Sequence, residues 1–110
     1  MTEGNRPPYE VLGWVEDVTI KNIDLFRHSL SQLIESEPSI LILDLEKVNY
    51  LNSSALGMIA QTAIEARKRN KKFIICNIEE TVEEIFRVVK FEKFISFFKT
   101  KAEAIDYGTR

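Results

Sequence analysis

Ser39-Ile40-Leu41-Ile42-Leu43-Asp44-Leu45, continued by Glu46-Lys47-Val48-Asn49-Tyr50-Leu51-Asn52-Ser53-Ser54-Ala55-Leu56-Gly57, is the stretch that decides the fold. Its first seven residues are almost continuously aliphatic, the pattern of a central strand covered on both faces, as in a parallel sheet with helices packed on it. A short polar connection then leads to a Ser-Ser pair opening a helix, predicted to run from Ser54 to Arg69. Leu56, Ile59, Ala60, Ala63, Ile64 and Ala66 of that helix share one broad face, and small alanines let it approach a sheet closely. Arg67-Lys68-Arg69 in the last turn complements the negative end of the helix dipole.

Strand, connection and helix recur on both sides of this unit. Lys72 to Ile78, with Phe73-Ile74-Ile75-Cys76, reads as a second buried strand. Upstream, Ile23, Phe26, Leu30, Leu33 and Ile34 follow helical spacing between Asn22 and Ser36, with Asn22 as the expected N-cap and a stop before Pro38. Val11, Trp14, Val15 and Val18 suggest a strand over residues 10–18, in which Gly13 marks a bulge or a close backbone approach. Downstream, Glu80 to Val89 returns to helical spacing through Val82, Ile85, Phe86 and Val89. Phe94 to Phe98 is a short edge strand. A last helix from Thr100 to Tyr107 is capped by Thr100, turns Ala102, Ala104 and Ile105 inward, and stops at Gly108. The alternation implies an α/β domain: a mainly parallel mixed β-sheet of about four strands with helices against it and right-handed crossovers. Residues 1–8, with Gly4, Pro7 and Pro8, read as an irregular tail, and residues 9–107 as one domain.

Composition narrows the function. The 110 residues are 45% hydrophobic and 29% charged, ordinary for a soluble globular domain, and allow one core. A net charge of −2 offers no general attraction to nucleic acid or an anionic membrane. No segment approaches the about 18 apolar residues of a membrane span, and the N-terminus lacks a signal-type apolar region, so a cytoplasmic location is expected. Cys76, the one cysteine, falls in an apolar run and reads as a small core side chain. His28, the one histidine, lies on the polar side of its helix beside Arg27 and Ser29. With no Cys/His cluster, no glycine-rich phosphate loop and no paired catalytic carboxylates, neither catalytic residues, a metal nor a cofactor is expected.

Ser53 is the residue with most to offer. At a strand-to-helix junction a hydroxyl is exposed near unpaired backbone N–H donors, which suits a phosphate. Serine is equally a preferred N-cap and needs no modification to explain it there. Ser54 would sit further into the first turn and is the lesser acceptor.

The run Asn52-Ser53-Ser54-Ala55-Leu56-Gly57, in this order and with these flanks, resembles the Asp-Ser-Ser/Thr/Ala-Gly-Leu-Gly motif of the STAS domain, the fold of bacterial anti-sigma factor antagonists. The similarity extends from about Val11 to Ile105. Asn52 stands in place of the family's Asp and Ala55 in place of its Gly. Before Val11 the chain is short for the family's first strand, which is either missing or built from Arg6 to Glu10. The resemblance implies that Ser53 is phosphorylated by an anti-sigma factor that is itself a serine kinase and supplies the ATP site. The unphosphorylated antagonist binds that kinase and frees the sigma factor, and a serine phosphatase resets the system. Asn52, Ser53, Ser54, Leu56 and Met58 would form the partner-binding site, with Met58 the better surface residue because Leu56 also suits burial. A second reading keeps the fold as a constitutive scaffold subunit of a signalling or transporter complex, with Ser53 unphosphorylated.

Overall fold

The computed structural model describes residues 7–110. Its elements run β1 (Tyr9–Gly13), α1 (Ile23–Glu35), β2 (Ile40–Asp44), α2 (Ser53–Lys68), β3 (Lys72–Cys76), α3 (Glu80–Val88), a 3-10 turn (Phe91–Lys93), β4 (Ser96–Phe98) and α4 (Lys101–Gly108). The four strands form one sheet in the order β1-β2-β3-β4, and every neighbouring pair is parallel. One row of the register runs Val11, Ile42, Ile74, Ser96; the C-terminal row runs Gly13, Asp44, Cys76, Phe98.

The two-residue period of a strand divides the aliphatic runs between two cores. Leu41, Leu43, Phe73 and Ile75 join Phe26, Leu30 and Leu33 of α1, Ile59 and Ala63 of α2 and Phe86 of α3 in the larger one. Ile40, Ile42, Ile74 and Cys76 point the other way, onto Ala104 of α4. Leu41, Ile42, Leu43, Ile74 and Ile75 are all fully buried, which is why their run contains no polar alternation.

The expected strand over residues 10–18 ends earlier, at Gly13, which pairs in register with Asp44 and forms no bulge. Beyond it Trp14 turns into the core and stacks edge-on against Phe26 with ring centroids 5.1 Å apart. Val18 returns to the sheet's end as an isolated parallel bridge to Leu51. Among the described residues no strand precedes β1, and Arg6, with most of the expected tail, lies outside them.

Asn22 is the N-cap residue of α1 as expected, its carbonyl accepting from the Phe26 N–H at 3.0 Å, but its side chain makes no capping bond. That side chain instead accepts from the Thr19 N–H at 2.9 Å and donates to the Asp17 carbonyl at 2.8 Å, bracing the preceding loop. In α3 only Phe86 is buried, while Ile85 and Val89 are about half exposed. The reason is geometric: β4 is three residues long and gives a helix at that edge little to cover. In α4, Thr100 and Glu103 form a reciprocal capping box, as the Thr100 cap predicts, but Ala102 is exposed. Gly108 is the last residue of α4 and has no left-handed backbone. A Cβ there would lie 2.7 Å from Ile40 Cγ2, so close packing on β2, and not chain reversal, accounts for this glycine.

Candidate functional site

Ser53 stands at the C-terminal end of the sheet, where the β1–α1 and β2–α2 connections are sewn together. Val18 N–H donates to the Tyr50 carbonyl at 2.9 Å and Asn52 N–H to the Val18 carbonyl at 3.1 Å. One oxygen of the Asp17 carboxylate accepts from the Asn49 and Tyr50 N–H groups, at 2.7 and 3.0 Å. Beneath this lacing Val18, Leu45, Val48 and Leu51 are buried and pin both loops to the larger core. Tied to each other at both backbone and side chain, the two connections hold the α2 entrance in one place.

At that entrance the cap is Asn52. Its backbone is extended, its Oδ1 accepts from the Ala55 N–H at 2.8 Å, and its carbonyl accepts the first helical bond from Leu56. Ser53 is therefore the first helical residue, and α2 begins one residue earlier than its apolar spacing predicts. The expectation that Ser53 itself serves as N-cap is corrected, since the adjacent amide side chain takes that bond. Ser53 and Ser54 are exposed, and neither hydroxyl has a hydrogen-bond partner among the described residues. Ala55 is fully buried, its methyl fitted into the larger core.

Leu56 and Met58 are both half-buried against that core, so Met58 offers less free surface than a fully solvated residue. Met58 nevertheless borders an open groove of about 560 Å³ between α1 and α2, which Leu30, Ser54 and Gly57 also line. Gly57 stands on its rim with no internal reason to be glycine: a Cβ there would meet nothing within 4 Å. Three exposed apolar side chains in the two connecting loops, Val15, Ile20 and Tyr50, add to the apolar surface at this end of the sheet. Sequence patterning placed Val15 in a strand and did not single out Ile20 or Tyr50, because isolated apolar residues in loops carry no periodicity.

Asp44 closes β2 beside the site. Its Oδ1 accepts from Asn77 Nδ2 at 2.9 Å and from the Glu46 N–H at 3.1 Å. Below it, burial foremost and the nearby Asp44 carboxylate push the Cys76 thiol up to about 12, which makes it an inert core side chain and no nucleophile. His28 is on the surface. Among the described residues no group of His, Cys, Asp and Glu could hold a metal ion, and no helix is long and apolar enough to cross a membrane.

The same architecture recurs in solved structures of low sequence identity. An anti-sigma factor antagonist from Mycobacterium paratuberculosis superposes with a TM-score of 0.81 at 15% identity, over 96% of this chain and 89% of that one. The Bacillus cell fate determinant SpoIIAA in its phosphorylated form gives 0.74 at 19% identity, over 96% and 94%. A SulP transporter STAS domain from Vibrio cholerae gives 0.72 at 15% identity, over 94% and 83%. The STAS domain family model matches residues 10–104, nearly all of the described fold, and the chain belongs to that family.

Proposed function

We propose that this protein is an anti-sigma factor antagonist: in its unphosphorylated form it binds an anti-sigma serine kinase, and phosphorylation of Ser53 switches that binding off. The observation that carries the reading is the division of labour at the α2 entrance. Asn52 supplies the cap, which leaves the Ser53 hydroxyl exposed and without a structural duty. A phosphate there would add roughly −1.5 to −2 charges, tolerated by its own helix N-terminus. Placed in a partner contact it must be desolvated, and it would repel any facing carboxylate. The kinase would engage Asn52, Ser53, Ser54, Leu56 and Met58 and would itself hold the ATP; a serine phosphatase would restore the active form. No catalysis is assigned to this chain.

The likeness to a transporter STAS domain supports the second reading, a constitutive subunit in which Ser53 stays unmodified. One experiment separates the two. The protein is incubated with ATP and the anti-sigma-type kinase encoded nearest to it, the product is mapped by mass spectrometry, and binding is measured by calorimetry. Antagonist function requires phosphate on Ser53 and loss of binding in both the phosphoprotein and Ser53→Asp. An unmodified Ser53, or a Ser53→Asp variant that binds like the parent, overturns it.

A further inference from the structure

At the opposite end of the sheet, where β3 and β4 begin, cations gather. Arg67, Lys68, Arg69, Lys71 and Lys72 occupy five of six consecutive positions in a chain whose net charge is −2. Dipole compensation at the α2 terminus accounts for part of this run, and the structure shows which part. Arg69 is committed to Glu65 at 2.9 Å and Glu35 at 3.2 Å. Lys71 is committed to the carbonyls that end α1, those of Ile34 at 3.0 Å and Ser36. Neither is free for a ligand.

Arg67, Lys72 and Lys93 are different. Together with the committed Lys71 they line an open depression of about 230 Å³, and none of the residues lining it is acidic. No carboxylate among the described residues pairs with any of the three. Aromatic rings hold two of them in place: the Arg67 guanidinium lies 5.0 Å from the Phe94 ring centroid and the Lys72 ammonium 5.2 Å from that of Tyr107. Lys72 reaches a backbone acceptor, the Gly108 carbonyl, only at 3.5 Å. The hydroxyls of Ser96 and Tyr107, 3.4 Å apart, complete the wall.

We infer that this depression is an anion site for a small soluble molecule bearing a phosphate or diphosphate group. Three cationic side chains without a carboxylate partner and two hydroxyls lining one concavity match a multiply charged oxyanion with several acceptor oxygens. Concavity and limited volume favour a small ligand over a duplex or a membrane, either of which needs an extended positive face and would meet the chain's net negative charge. The site is independent of the Ser53 reading, from which the length of the strands separates it.

Pyrophosphate and inorganic phosphate are titrated into the ¹⁵N-labelled full chain at constant ionic strength, with chloride as the control anion. Saturable shifts confined to the amides around Lys72, Lys93 and Ser96, with a Kd at or below about 1 mM for pyrophosphate, support the inference. The paired Arg67→Gln and Lys93→Gln substitutions, both of exposed side chains, should weaken binding roughly tenfold while leaving the rest of the spectrum in place. Absence of saturation, equal shifts with chloride, or unchanged affinity in the double variant overturns it. So does binding of phosphatidylserine vesicles or a single-stranded oligonucleotide at concentrations where pyrophosphate produces no shift.

Discussion

Exchanging adjacent residues at the α2 entrance tests the whole account of Ser53. Asn52→Ala deletes the Oδ1 that accepts the Ala55 N–H at 2.8 Å and leaves that donor at a half-buried helix start without its partner. Loss of such a cap costs about 1 kcal/mol, within a span of about 0.5 to 2. For a domain of this size that lowers the melting temperature by about 4 °C. Ser53→Ala removes an exposed hydroxyl that makes no bond among the described residues, and alanine is the better helix former at the first helical position. Its expected effect lies within about 0.5 kcal/mol of zero and leans toward stabilisation. Urea unfolding of the parent and both variants, followed by far-UV circular dichroism, reads the difference directly, with equal slopes confirming that only stability has changed. The reverse order, a clear loss for Ser53→Ala and none for Asn52→Ala, would return the cap to Ser53 and remove the ground for treating its hydroxyl as free.

Two further substitutions probe the core that positions the site. Gly108→Ala should destabilise by about 1 to 3 kcal/mol, because the new methyl would sit 2.7 Å from the stiff, β-branched Ile40 and 3.1 Å from Ile74; an unchanged urea midpoint would refute close packing as the reason for this glycine. Cys76 should resist iodoacetamide in the native protein and react only on unfolding. Its folded thiol is pushed up to about 12, whereas an unfolded one ionises near about 8.5. The native state therefore retains a proton that the unfolded chain releases: this contribution to stability is complete below about pH 8.5 and is lost as pH rises from there toward 12. Stability measured across that window should fall more steeply for the parent than for Cys76→Ala, and parallel curves would count against it.

What was legible in the sequence follows from how strongly each segment is constrained. Apart from Asp44 at the end of β2 and Lys72 at the start of β3, the two strands are buried on both faces and apolar throughout, so their runs announce themselves. α1 presents Phe26, Leu30, Leu33 and Ile34 to the core from one side and shows the helical period plainly. Residues 14–18 misled for the opposite reason. Trp14 and Val18 are apolar because they anchor a loop, and their β-branched and aromatic character mimics a strand although only an isolated bridge forms. In α3 the spacing of Val82, Ile85, Phe86 and Val89 is that of a buried face, yet the amount of sheet available to cover it is a property of β4, which no local pattern in α3 reports. The choice between Asn52 and Ser53 as cap was similarly beyond reach, since both residue types serve and one position along the chain separates them. Asp17 illustrates the long-range limit: its carboxylate holds Asn49 and Tyr50, more than thirty residues away, and nothing near Asp17 in the sequence marks that duty.

That lacing bears on how a switch at Ser53 would operate. A phosphate could act by rearranging the fold or by changing what the surface will accept, and these make different demands on the α2 entrance. Rearrangement needs an element with two arrangements of similar free energy. Here the entrance is held by the Asn52 cap, the Val18–Leu51 bridge, the Asp17 carboxylate and a fully buried Ala55, none of which uses the Ser53 hydroxyl. Modification removes none of these ties, so the proposed switch is electrostatic and local. An uncompensated charge buried in a contact of this kind costs about 2 to 5 kcal/mol, enough to weaken binding by well over tenfold without moving the backbone. Amide exchange in the β1–α1 and β2–α2 connections should accordingly be the same before and after phosphorylation. Faster exchange of the Asn49, Tyr50 and Ala55 amides in the phosphoprotein would show the lacing coming undone and would replace the surface mechanism with a conformational one.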